Sequence, residues 1–192
     1  MALIIIEFLS LDGVIQDPDG AEGTPWGGWA FRQGRAAVAG DKFRLGPLLE
    51  GATLLFGRRT WEHFATLWPS RTDDFATQLN AMPKLVASRR RAIFDDWKNS
   101  ERLPADPLPE IDRIRRHTDL VLIGSTSLAR QVINAGLVDE YRLLIFPCVI
   151  GAGERLFDPG DAIDLDLVSV EQKDATVLIT YRTTAPKQGE QS

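Results

Sequence analysis

"LLFGRRTWEHF" (54–64) is the stretch whose reading decides the fold. The apolar run ends at Gly57, and Arg58, Arg59 and Thr60 stand between it and a helical pattern over 60–67. A buried strand that runs into two cations and a hydroxyl at the head of a helix is suited to meet an anion. The first N–H groups of a helix have no partner within it and carry partial positive charge, and a guanidinium fork matches phosphate oxygens. A plainer use of Arg58 is a pair with Glu62, one turn further on.

Working outward, the same strand-then-helix order recurs. Residues 2–9 are a continuous Ile/Leu/Phe run, too short for a typical helix and rich in branched side chains, as in a strand buried on both faces. "KLVAS" (84–88), "LVLIG" (120–124) and "EYRLLIFPCVI" (140–150) read as further strands. Helical patterns are expected over 33–50 (broken by Gly40, Gly46 and Pro47), over 73–81, in "PLPEIDRIRRH" (107–117) and in "STSLARQVINAG" (125–136), which Gly136 stops. "AIFDDWKNSERL" (92–103) reads as a short edge strand with a turn. Alternation of Ile163, Leu165 and Leu167, and of Val177, Ile179 and Tyr181, around "QKDA" predicts an antiparallel hairpin. Strands alternating with helices imply a largely parallel sheet covered on both faces, with the hairpin added at one side. The expectation is one α/β domain over 1–184 and a disordered polar tail over 185–192.

Composition narrows the function. A net charge of −5 disfavours a general nucleic-acid or anionic-membrane surface. No apolar stretch approaches the length of a membrane span. "MALIIIEFLS" lacks a basic leader and reads as a strand, not a signal peptide. The single cysteine, Cys148, suits a cytoplasmic protein, and two histidines without a neighbouring cysteine argue against a zinc cluster; no metal is expected.

In a parallel sheet the loops that follow the strands share one edge, where ligands bind. Three are polar in a related way: Gly57-Arg58-Arg59-Thr60, then Ser88-Arg89-Arg90-Arg91, then Gly124-Ser125-Thr126-Ser127. Backbone and hydroxyls at 124–127 can hold one phosphate, and Arg58 or Arg59 with Ser88 or Arg89 another. A dinucleotide with a 2′-phosphate, NADPH, has that distribution. Against this, Ser125 can serve as a helix cap alone, and Arg90 and Arg91 read as a solvated turn. The Walker lysine is absent, "GAG" (151–153) lacks a third glycine and a following helix, and no Gly-x-Ser-x-Gly turn occurs.

Three ordered motifs carry a resemblance. "LLFGRRTWE" resembles the Gly-Arg-x-Thr-Trp-Glu segment of dihydrofolate reductases. "LVLIGSTSLARQVINAGLVDEYRLLIFPCVIGAGERLF" (120–157) and "FLSLDGVI" (8–15) resemble the reductase domain of the bifunctional riboflavin-biosynthesis protein and its bacterial dihydrofolate-reductase-like relatives. The likeness spans about residues 3 to 183. It implies a dihydrofolate reductase-like three-layer sandwich with a largely parallel mixed sheet, NADPH binding and a homodimer. It puts Gly57, Arg58, Thr60, Ser88 and Arg89 at the adenosine phosphate end, and Gly124, Ser125 and Thr126 at the pyrophosphate. The folate enzymes carry paired glycines where this chain has Gly124-Ser125.

Reduction of a C=N or C=O bond also needs a proton source. The resemblance implies Asp41, at the folate enzymes' spacing from the Gly-Arg motif, and Asp12, in the Ser-Leu-Asp-Gly turn. Glu154 lies in a loop able to close over a substrate. Asp41 beside Lys42 also reads as a solvated helix residue, and Asp12 as a plain Asp-Gly turn. Trp26 and Trp29, in the long loop over 11–30, either wall the pocket or anchor the loop. The expectation is an NADPH-dependent reductase of a small pterin- or pyrimidine-like heterocycle. The alternative is a nucleotide-binding sensor or scaffold dimer without turnover.

Overall fold

The computed structural model describes residues 1–34, 38, 41, 43–90, 94–160 and 162–184. The tail over 185–192, Gly40 and Arg91 therefore lie outside the described residues. Eight strands form one sheet in the order β4-β3-β2-β5-β1-β6-β8-β7. They are β1 (Leu3–Ser10), β2 (Thr53–Gly57), β3 (Lys84–Ala87), β4 (Ser100–Arg102), β5 (Leu120–Ile123), β6 (Glu140–Phe146), β7 (Leu165–Lys173) and β8 (Thr176–Thr183). The first six run parallel, whereas β8 is antiparallel to both β6 and β7, so the expected hairpin closes one side.

Alternation along the inner strands divides the core between two layers of helix. Leu3, Ile5 and Leu9 of β1, Leu55 of β2, and Leu120 and Leu122 of β5 cluster with α3 (Leu108–Arg115) and α4 (Thr126–Asn134) through Ile111, Leu128, Ala129 and Val132. Ile4, Ile6, Leu54, Phe56, Val121 and Ile123 cluster on the other face with α1 (Arg58–Leu67) and α2 (Asp74–Ala81) through Trp61, Ala76 and Leu79. Each fully buried Leu or Phe stabilises the fold by about 1.5–3 kcal/mol, so the sandwich has ample apolar drive.

Three boundaries differ from the sequence expectation. Helix α1 begins at Arg58 rather than near Thr60, because Gly57 is extended (φ −75, ψ 156) and takes the cap position. Both arginines therefore lie in the first helical turn. Strand β6 stops at Phe146, ahead of Pro147, which has no N–H for a ladder. The single helix expected over 33–50 is replaced, among the described residues, by short 3₁₀ turns at Trp29–Gln33 and Gly46–Glu50. Arg44 has φ +50, which a helix does not tolerate, and Asp41 accepts the N–H groups of Leu45 (2.8 Å) and Gly46 (3.0 Å) into a side-chain-closed turn.

At the amino edge of the sheet, Lys84 is 1% exposed and donates to the carbonyls of Asn80, Met82 and Lys98 at 2.9, 2.7 and 3.1 Å, over the Trp97 ring. It ties the end of α2 to the entry of β4. Replacement by methionine, Lys84→Met, leaves those carbonyls without their donor. It should lower the unfolding free energy by about 2–4 kcal/mol in urea titrations.

Candidate functional site

Parallel pairing sets Gly57 level with Ala87 and brings the carboxyl ends of β3, β2, β5 and β1 to one edge. There the turn after β5 meets the turn after β2. The Ser125 hydroxyl accepts the Gly57 N–H at 2.8 Å and donates to Thr60 Oγ1 at 2.8 Å. Ser125 sits at the cap position of α4, yet makes no side-chain bond to its own helix; its oxygen joins two crossovers instead. To do so it adopts φ 67, ψ 57, a left-handed conformation that costs about 1–2 kcal/mol for a residue with a Cβ. Gly124 before it is also left-handed (φ +64), and a Cβ there would lie 3.0 Å from Thr60 Cγ2. Position 124 is glycine because both the backbone and the neighbouring helix demand it.

The sequence-derived cofactor set therefore converges. Gly57, Arg58, Arg59 and Thr60 head α1; Gly124, Ser125 and Thr126 head α4; Ser88 and Arg89 follow β3 beside Gly57. Within the described chain the N–H groups of Thr126 and Ser127 have no acceptor, as the first turn of a helix requires. The arginines divide. Arg58 Nη1 meets both oxygens of Glu62 at 2.6 Å, the pairing the sequence allowed. Arg59, Arg89 and Arg90 are exposed, and their guanidinium groups bond no described residue. Ser88 is turned inward, donating to the Arg90 carbonyl at 2.9 Å and shaping the turn that presents Arg89.

The three carboxylates are placed differently. Asp12 accepts the N–H groups of Ile150 (3.0 Å) and Gly151 (2.8 Å) and the Ser10 hydroxyl (2.8 Å), with Arg155 Nη2 at 3.8 Å. Partial burial pushes its pKa up, but the hydrogen bonds outweigh burial and hold it at about 2. It fastens the turn after β1 to the loop after β6 as an ionised anchor. Asp41 holds Leu45 and Gly46 as described above. Glu154 is exposed; its N–H reaches Gln16 Oε1 at 3.2 Å, and its carboxylate bonds no described residue.

The long loop folds on itself around Asp17, which accepts the N–H groups of Glu22 and Thr24 and the Thr24 hydroxyl. Trp29 is wholly buried, donates to the Gln16 carbonyl at 3.0 Å and meets Phe146 edge-on, so it anchors the loop. Trp26 is half-buried and faces Gly153. His63 Nε2 and Asp19 Oδ2, 2.6 Å apart, join the loop to α1.

Sequence reasoning missed two neighbouring positions on β1. That strand pairs with β6 as far as Ser10, but with β5 only over Leu3–Ile6. Beyond Ile6 the sheet is split. The bonds Leu120 N–H to Ala2 and Asp139 N–H to Leu3 fix the alternation, so Phe8 turns its N–H and carbonyl toward the split, where no described residue pairs with them. Glu7, level with the start of the Gly124 turn, is buried to 6% exposure with Oε1 unpartnered. A legible signal existed: an acid inside an otherwise apolar strand read as buried on both faces.

Two helix heads joined through Ser125, arginines beside them whose guanidinium groups bond no described residue, and a split mixed sheet define a dihydrofolate reductase-like α/β protein. Residues 2–179 match the RibD C-terminal domain, and the chain belongs to that family. It is 32% identical over 125 residues to the uncharacterized protein YyaP of Bacillus subtilis, a match covering 61% of this chain and 65% of that one. A putative riboflavin biosynthesis protein from Shewanella sp. PV-4 superposes with a TM-score of 0.68 at 18% identity, over 96% of this chain and 100% of the other. Dihydrofolate reductase from Enterococcus faecalis, solved with NADP(H), gives 0.60 at 14% identity over 96% and 97%. At those identities the likeness establishes the fold. No helix among the described residues is long and apolar enough to cross a membrane.

Two outcomes follow from the geometry. Ser125→Ala leaves the Gly57 N–H and Thr60 hydroxyl without their partner and should lower stability by about 1–3 kcal/mol in chemical denaturation. Because the folded pKa of Asp12 lies below its unfolded value of about 3.9, its contribution is complete above that pH and is lost as pH falls toward about 2. Asp12→Asn should therefore flatten the acid limb of a stability-versus-pH curve.

Proposed function

We propose that the chain is an NADPH-dependent reductase acting by hydride transfer on a small pterin- or pyrimidine-like heterocycle, as a cytoplasmic homodimer. The observation that carries this reading is the joining of two helix heads through the Ser125 hydroxyl, with Arg59 and Arg89 unpaired beside them. When bound, the reduced nicotinamide supplies a hydride to a polarised C=N or C=O bond. The chain's own residues bind and orient. The α4 head, with Gly124, Ser125 and Thr126, receives the pyrophosphate. Arg59 and Arg89, with Gly57, Thr60 and Ser88 shaping the surface and Arg58 held against Glu62, receive the 2′-phosphate end. The unpaired main chain of Phe8 offers a donor and an acceptor to a planar amide entering the split.

Of the three carboxylates, Asp12 and Asp41 are occupied by main-chain N–H groups, and Glu154 is the one free to approach a substrate. A nucleotide-binding sensor or scaffold dimer without turnover is the second reading, favoured by that same occupation of Asp12 and Asp41.

Arg59→Ala and Arg89→Ala should each weaken NADPH binding by about 1.5–3 kcal/mol, some ten- to hundredfold, while changing NADH binding far less, because only NADPH carries the extra phosphate. Equal losses for both cofactors would assign the arginines to structure. Following the absorbance of the reduced nicotinamide against a panel of pterins and aminopyrimidinones tests turnover. A rate lowered in Glu154→Gln with unchanged NADPH affinity supports the enzyme, whereas tight binding with no acceptor reduced across the panel supports the sensor.

A further inference from the structure

The proposed function leaves Glu7 unexplained. Its side chain leaves β1 on the face that carries Ile5 and Leu9, which cluster with Leu128 and Ala129 in the first turns of α4. The register Ile6–Ile123 sets Glu7 level with Gly124, where β5 has ended and α4 is about to begin. Glu7 thus sits where the split opens, on the α4 side of the sheet; the residue is 6% exposed, with Oε1 sealed from water and bonded to nothing in the described chain. Burial pushes its pKa up to about 8, so the group is a neutral acid at neutral pH.

Among the described residues, no charged or titratable group of the surrounding elements bonds its Oε1. On β6, Tyr141 and Leu143 share its face, while Glu140 and Arg142 project from the other and pair together at 2.8 Å. On α4 the one charge, Arg130, is held by Asp158 and the Arg155 carbonyl. In the loop after β6, Arg155 is held by the Asp12 carbonyl at 2.9 Å, and Glu154 is exposed. A leucine would fill the space with no polar atom to satisfy. A buried acid with an open hydrogen-bonding position, beneath a helix head whose own N–H groups are open, has the chemistry of a ligand group.

We propose that Glu7 completes the α4 anion site: as a neutral carboxylic acid it donates its O–H to a phosphate oxygen seated on the Gly124–Thr126 turn, and the site releases its ligand when that acid ionises. The identification of the ligand as a dinucleotide rests on the reductase reading; the anion site does not. An O–H···O⁻ bond in a site shielded from water is strong, and an ionised carboxylate in the same place repels the phosphate. The helix head alone would bind an anion without regard to pH in this range; Glu7 makes binding proton-linked.

The test compares the wild-type chain with Glu7→Gln and Glu7→Leu. Affinities for NADPH and for ADP-ribose, whose diester pyrophosphate keeps constant charge, are measured calorimetrically from about pH 7 to about pH 9.5. In the wild type both affinities should fall by up to about tenfold per pH unit above about pH 8. Glu7→Gln, whose amide N–H replaces the acid O–H, should bind within about threefold of wild type at neutral pH with a flat profile. Glu7→Leu should bind about tenfold or more weakly, also flat. Both variants should keep or raise the melting temperature of the free protein, since each removes a buried ionisable group, so weaker binding cannot be ascribed to misfolding. An unchanged pH profile in Glu7→Gln would move the linkage to another group, such as Lys84 or Cys148, and overturn the proposal. So would full affinity in Glu7→Leu. ADP-ribose binding with the expected profile, without NADPH binding, would uphold Glu7 and sink the reductase reading. NADPH binding indifferent to position 7 would do the reverse, and no binding of either ligand would sink both.

Discussion

One hydroxyl holds the working edge of this protein together. Ser125 Oγ lies between the Gly57 N–H and Thr60 Oγ1, and through it the turn after β5 is locked to the head of α1. Without that link the two helix heads would be separate surface features, each too weakly charged to select a ligand. With it, their N–H groups and the flanking arginines form one surface with fixed spacing. The left-handed backbone at Gly124 and Ser125 is the strain that accompanies the arrangement. Close contact between Thr60 and Gly124 shows how little room remains for any other residue there.

The sheet order explains why the link is possible. Strands β2 and β5 are neighbours although more than sixty residues separate them, and β1 lies between β5 and β6. Their loops must emerge side by side. Asp12 then joins the turn after β1 to the loop after β6, and Asp17 closes the long segment between β1 and the first 3₁₀ turn. Acidic side chains on this edge act chiefly as main-chain fasteners, whereas the guanidinium groups of Arg59, Arg89 and Arg90 bond no described residue and that of Arg58 is held by Glu62.

Much of this was legible in the sequence. Short β-branched runs between polar turns marked the strands, and "GRRT", "SRR" and "GSTS" marked the loops that converge. The 33–50 segment misled because its apolar spacing suits a helix, while Asp41, Arg44 and Gly46 build a turn held by a side chain; local hydrogen bonding overrode periodicity. The part played by Ser125 was hidden for a related reason. A serine before a helix reads as a cap for that helix, and only the tertiary neighbour reveals its partners. The resemblance singled out Asp12 and Asp41 by motif and spacing, and neither tells how many main-chain N–H groups a carboxylate will receive. Glu7 was visible as an acid in an apolar strand, and its importance emerges only once burial and the short β1–β5 pairing are known.

The central place of β1 bears on how the chain is made. "LIIIEFLS" is synthesised well before both of its flanking strands, which come from residues beyond 119. Until those emerge from the ribosome, a nearly all-apolar segment of high β-propensity has no native neighbour, the condition under which nascent chains self-associate. In the open chain Glu7 is solvated and negatively charged, and a charge within such a segment acts as a gatekeeper against intermolecular pairing. The residue that becomes a neutral, buried acid in the finished sheet is thus, during biogenesis, the one charge that keeps its innermost strand soluble.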